Sequence, residues 1–138
     1  MSDVVKCIEY YYTTVPDRSG AGAKLLNALK TAHVNLLGFS GFPSGAGRAQ
    51  LDFFPSNGRV FRAAARKAGI KLVGPKTAFL IQGQDRVGAI AIIADKLGKA
   101  HFAISALDAV TTGRRRYSAI LWVKPGNVDR VAKILRAS

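Results

Sequence analysis

Asp17-Arg18-Ser19-Gly20-Ala21 and Asp85-Arg86-Val87-Gly88-Ala89 lie sixty-eight positions apart, and at that one offset the two halves of the chain align without a gap. Identities run outward from this turn through Ala23/Ala91, Leu29/Leu97, Ala32/Ala100 and His33/His101. They continue at Gly45/Gly113, Gly58/Gly126, Val60/Val128, Arg62/Arg130 and Ala64/Ala132. Other pairs keep only character, such as Leu36/Ile104 and Phe53/Leu121. The chain is a duplication, and with only two copies it reads as two compact modules rather than a solenoid.

Upstream of the first turn, Val4 to Val15 is rich in β-branched and aromatic residues, including Tyr10-Tyr11-Tyr12, and predicts a strand stopped by Pro16 and Asp17. Asp17 reads as the N-cap of a helix, with Gly20 allowing a sharp entry. Ala21, Leu25, Ala28, Leu29 and Ala32 then share one helix face. His33 sits at the helix exit, where a left-handed backbone is needed and histidine tolerates it; His101 holds the same place in the second copy. Asn35 to Pro43 and Arg48 to Phe54 form a hairpin turning over Ser44 to Gly47. Ser56 and Asn57 open a helix that Gly69 ends, Ile70 to Val73 is a short fourth strand, and Pro75 separates the repeats. The second copy predicts a strand at Ala78 to Gly83, a helix at Gly88 to Lys99, a hairpin from Phe102 to Val123 and a helix at Val128 to Arg136.

The order strand, helix, strand, strand, helix, strand sets the expected class: α+β, two ferredoxin-like βαββαβ repeats, each an antiparallel sheet with its helices on one face. The repeats are expected over residues 1-73 and 74-138. No fourth strand follows the last helix of the second copy, but Asp3-Val4-Val5 aligns with Lys71-Leu72-Val73. Residues 2-6 are therefore expected to pair into the sheet of the second repeat. Tyr10 to Thr14 and Phe79 to Ile81 are apolar or aromatic on both sides of the pleat, which asks for cover on the second sheet face. A homodimer through that face is the expectation.

A hydrophobic content of 49% over 138 residues supplies a core and argues against disorder. The longest strongly apolar run, Val87 to Ala94, is far shorter than the ~20 residues of a membrane span, and no signal-peptide pattern opens the chain. A cytoplasmic protein with no membrane partner is expected. Cys7 is the only cysteine, which excludes an internal disulfide and a cysteine metal cluster. The net charge of +13 points to an anionic partner, such as an acidic protein surface. Yet the cations are spread over helix faces and turns besides Arg114-Arg115-Arg116, and a solvated surface accounts for most of them.

Eight acidic residues, two histidines at helix exits and one strand cysteine assemble no nucleophile, base and orienter. No phosphate loop ending in Lys-Ser or Lys-Thr is present, and no metal-ligand spacing. The expectation is a protein that is not an enzyme and uses no cofactor or metal.

The turn Pro16 to Ala23, followed by Leu25, Leu29, Ala32, Val34 and Asn35, resembles the signature of the ACT-domain family, small regulatory modules that bind amino acids. The second copy, Gln84 to Ala89 with Ala100-His101-Phe102-Ala103-Ile104, lacks the proline and has Ala103 in place of Asn35. The resemblance covers nearly the whole chain and implies a stand-alone tandem ACT protein: an allosteric, regulatory module whose ligand, an amino acid, binds at seams between modules. The implied ligand residues are Asp17, Arg18, Ser19, Gly20, Ala21 and Asn35, with Asp85, Arg86 and Gly88 in the second copy. Helix-start amides with the helix dipole behind them suit a carboxylate, and Asn35 would accept from an ammonium. Because Asn35 has no counterpart, the first loop is expected to be the functional one and the second degenerate. Helix capping by the aspartates, solvation of the arginines and a local backbone bond by Asn35 are the competing structural roles.

A second reading is an RNA-binding protein. RNA-recognition modules share this element order and stack bases on sheet aromatics. Tyr10 to Tyr12 and Phe53-Phe54 with the basic charge suit it; the third strand Gly47 to Phe54, with Asp52 among its aromatics, departs from the expected pattern and makes nucleic acid the weaker expectation.

Overall fold

The computed structural model describes residues 3–138. The chain runs β1 (Val4–Pro16), α1 (Ala21–Thr31), β2 (Leu36–Gly45), β3 (Arg48–Pro55) and α2 (Gly58–Lys67). It continues through β4 (Val73–Gln84), α3 (Ala89–Lys99), β5 (Ala106–Gly113), β6 (Arg116–Trp122) and α4 (Val128–Leu135). The expected α+β class and its doubled strand, helix, hairpin, helix order are both present.

Two compact units emerge, one over Glu9–Lys76 and the other combining the residues up to Ile8 with Thr77–Ser138. These bounds differ from a simple cut between residues 73 and 74, because both β1 and β4 start in one unit and finish in the other. Within the Glu9–Lys76 unit the strand order is β2-β3-β1-β4; within the second unit it is β1-β4-β6-β5. In each, the fourth strand lies beside the first, the split-βαβ arrangement.

In the second unit the fourth strand is the opening of β1. Val5 lies in the core with Phe79 and Ile81, and a Cβ on Gly83 would collide with the Asp3 carboxylate, so glycine is what lets Asp3 approach. Ser2, part of the expected pairing segment, lies outside the described residues. After α4 the chain returns to the same strand: the Ser138 N–H donates to the Val5 carbonyl at 3.0 Å, and the Ser138 carbonyl accepts from the Cys7 N–H at 2.8 Å.

The separate strand expected over Ile70 to Val73 is absent. Instead β4 begins at Val73 and continues through a cis Gly74–Pro75 peptide to Gln84. Proline is accommodated because this end of β4 is the edge of its unit's sheet, where a ladder bond from its nitrogen is dispensable.

Each unit has its own core. In Glu9–Lys76 it is built on Tyr11, Leu29, Leu51, Phe53 and Phe61, with ring centroids of Phe61 at 5.2 Å from Tyr11 and 5.5 Å from Phe53. The other core gathers Phe79, Ile81, Ile93, Leu97, Leu121 and Val131. Both histidines close their helices as expected. His33 (φ 58°) and His101 (φ 63°) are left-handed, and the next N–H, of Val34 or Phe102, reaches back to Leu29 or Leu97.

On the sheet face opposite the Tyr11–Phe53 core, Tyr10 packs on Phe54 with centroids 5.1 Å apart, and Phe54 is fully buried. Asp52, paired across the strands with Tyr12, is also buried and accepts from Gln50 Nε2 at 2.9 Å.

Candidate functional site

The two repeated turns adopt one geometry. Gly20 (φ 84°, ψ −13°) and Gly88 (φ 82°, ψ 8°) are the helix N-caps, and the Ala21 and Ala89 amides reach back to the Arg18 and Arg86 carbonyls. This is the third residue of a type II turn, a position that demands positive φ and hence glycine. No Cβ contact within 4 Å crowds either glycine.

The aspartates do not cap these helices, contrary to the sequence expectation: neither helix has a side-chain cap. Asp17 and Asp85 lie one turn too early and use their N–H groups to extend the strand ends, donating to the Gly47 and Arg115 carbonyls at 2.8 Å each. Both helices thus start with first-turn amides that have no intrahelical acceptor, and with the positive end of the helix dipole.

In the first repeat Asp17, Arg18, Ser19 and Gly20 are exposed and Ala21 is half-buried. Asn35 is not brought to them within their own unit. Pro16 pairs with Arg48 at one end of β3, whereas Leu36 pairs with Pro55 at the other, which places Asn35 about 20 Å away by strand rise. Its carbonyl accepts from the Ser56 N–H at 3.0 Å and the Ser56 hydroxyl at 3.2 Å, so its backbone tethers β2 to the start of α2.

The second repeat's turn borders a cavity of about 290 Å³. Asp85, Arg86 and Gly88 line it with the first turn of α3, facing Val110, Thr111 and Tyr117 of the β5–β6 hairpin. Arg86 makes a two-pronged bridge to Asp3, at 3.0 and 3.3 Å. Burial pushes the Asp3 carboxyl up, but the bridge to Arg86, the neighbouring Tyr117 phenol and the nearby cationic charge outweigh it and hold its pKa below the ordinary value. The buried Tyr117 phenol lies against this pair, and burial followed by the Asp3 carboxylate pushes its pKa up to about 12. Asp3 is not among the site residues the sequence suggests; the alignment of Asp3-Val4-Val5 with Lys71-Leu72-Val73 predicts only its strand pairing, and the signal that could have brought it to the second turn is the neighbouring position of Arg86 at the end of the paired strand.

Among the described residues no cluster of three or more His, Cys, Asp or Glu could hold a metal ion, and no helix is long and apolar enough to cross a membrane. Of the aromatics named for base stacking, Tyr11, Phe53 and Phe54 are buried, whereas Tyr10 and Tyr12 are only half-buried.

No family model and no curated protein sequence matches the chain. Solved structures do. A protein from Bacteroides thetaiotaomicron superposes with a TM-score of 0.81 at 14% identity, covering 96% of this chain and 88% of that one. The regulatory subunit of aspartate kinase from Thermus thermophilus, in a ligand-free form, gives 0.67 at 15% identity, with 99% and 95% covered. That from Thermus flavus gives 0.64 at 14% identity, with the same coverage. The chain therefore has the tandem ferredoxin-like fold of aspartate kinase regulatory subunits. This is the fold implied by the ACT-like resemblance of its two turns.

Proposed function

We propose that this chain is a non-enzymatic regulatory module of the ACT type whose repeated turns bind a small carboxylate ligand, most simply an amino acid. The observation that carries the reading is the repeated turn itself. A left-handed glycine begins each of two helices, no side chain caps either, and the second turn opens on a cavity of ligand size. Uncapped amides at the positive end of a helix are complementary to a carboxylate. The likeness to regulatory subunits of aspartate kinase supports the same reading.

At the second turn, Thr111 lines the same cavity and offers a polar group to an ammonium. Binding would favour one arrangement of the protein over another by the difference in affinity for the two. A cytoplasmic homodimer remains part of the proposal, with sedimentation as its measurement.

The test is a thermal-shift screen of the twenty amino acids against the full chain, with short RNA as the contrasting ligand. A ligand at 100 times its Kd adds about 2.7 kcal/mol of stability. Loss of that gain on Gly88→Val, with smaller loss on Gly20→Val, would assign the second turn; the reverse would assign the first. Stabilisation by RNA alone, weakening with salt, would replace this reading.

A further inference from the structure

Beside the second turn, on the helical side of the Thr77–Ser138 unit, α3, α4 and the opening of β1 enclose a groove of about 750 Å³. Its walls are apolar. Val5, Ile93 and Leu135 are buried behind it, Ile134 is half-buried, and Ile92 keeps 46% of its surface exposed. Its rim is cationic: Lys96 and Lys99 follow Ile92 on α3 at helical spacing, and Arg136 stands at the end of α4. Arg86 and Asp3 also line the groove, but they neutralise each other. Among the described residues the ion pairs are Arg62–Glu9 and Arg86–Asp3; Lys96 also interacts with the Asp3 charge at longer range, while none of Lys96, Lys99 and Arg136 has a carboxylate within ion-pair distance.

We infer that this groove binds a single-chain aliphatic anion, its hydrocarbon chain laid against Ile92 and Ile134 and its carboxylate or phosphate head held by Lys96, Lys99 and Arg136. Hydrophobic and charge complementarity coincide here: exposed isoleucine surface gains by burial in contact with an alkyl chain, and unpaired cations gain an anion. The volume is that of a small-molecule site rather than of a flat protein interface. The inference is independent of the ligand at the glycine turns.

The experiment is calorimetric titration of the full chain with decanoate and with decyl phosphate below their micelle concentrations. Acetate supplies a head without a tail, and decan-1-ol a tail without an anionic head. Saturable one-to-one binding of a decyl anion, at least tenfold tighter than either control, is expected, and the tighter of the two anions identifies the head group. Lys96→Glu with Lys99→Glu should weaken it at least tenfold, as should Ile92→Gln alone. Lys30→Glu with Lys71→Glu makes the same change in net charge on exposed side chains elsewhere and should leave it unchanged. Equal loss in both double variants, equal binding of decan-1-ol, absence of saturable binding, or binding only to phosphatidylglycerol vesicles would each overturn the inference.

Discussion

Arg86 grips Asp3 with both prongs of its guanidinium, joining the turn before α3 to the opening of β1 across 83 positions of sequence. The bridge is partly sheltered, with the Asp3 side chain 12% and the Arg86 side chain 30% exposed. It also divides two spaces, since Arg86 lines both the cavity at the second turn and the amphipathic groove.

Asp3→Asn is expected to lower Tm by a few degrees at neutral pH. The Asp3 pKa is depressed in the folded state, so its contribution is fully present above its ordinary value of 3.8 and disappears as pH falls through the lower folded value. Thermal unfolding of both proteins across this acid range should show the two Tm curves converging. The same substitution should bring the Tyr117 pKa down from about 12, read by ultraviolet difference absorbance during alkaline titration.

Asp52 carries the opposite sign. Burial pushes its carboxyl up despite the bond from Gln50 and the charge of Lys76, so ionisation at neutral pH costs stability. Asp52→Asn should therefore stabilise the protein by on the order of 1 kcal/mol at pH 7. The gain should fade as pH falls through the raised folded value and vanish below the ordinary 3.8, where the wild-type carboxyl is protonated in both states. Denaturant melts at neutral and acid pH provide the measurement.

His33→Gly and His101→Gly should each stabilise by up to about 1 kcal/mol, because both residues are held at positive φ where glycine carries no Cβ penalty. They lie in separate units, so the double variant should show the sum. Destabilisation in urea melts would assign the imidazoles a role beyond ending the helices.

Arg114 and Arg115 form the two-residue turn of the β5–β6 hairpin with φ of 54° and 60°. Such turns favour Asn-Gly, and the first repeat places Ala46 and Gly47 there. Arg114→Asn with Arg115→Gly should add about 1 kcal/mol in chemical unfolding, from relief of left-handed backbone at two side-chain-bearing residues.

Much of the fold was legible because it rests on local demands. The glycines at positions 20 and 88, the histidines at 33 and 101 and the Asn57 cap, whose side chain accepts from Val60 N–H, each answer a backbone requirement within a few residues. Asp17 and Asp85 misled because a good capping residue is defined by its place relative to the first helical turn, and the strands reach further than their composition shows. Pro75 predicts a break, yet β4 runs through it from Val73 to Gln84: whether proline breaks a strand depends on whether its edge is paired, and that is a property of the sheet.

The candidate site was legible only in part. The repeated turn could be found from its recurrence, but the cavity beside Gly88, the Asp3–Arg86 bridge and the groove rimmed by Lys96 and Arg136 join segments remote in sequence. By itself the sequence determined the duplication, the alternation of strands and helices and the turns between them, since periodicity and φ preference act over short range. Only the tertiary structure decided that Asp3 meets Arg86, that Asp52 and Phe54 are buried, and that Ile92 stays exposed among cations outside any ion pair, because burial and charge pairing depend on which distant surfaces meet.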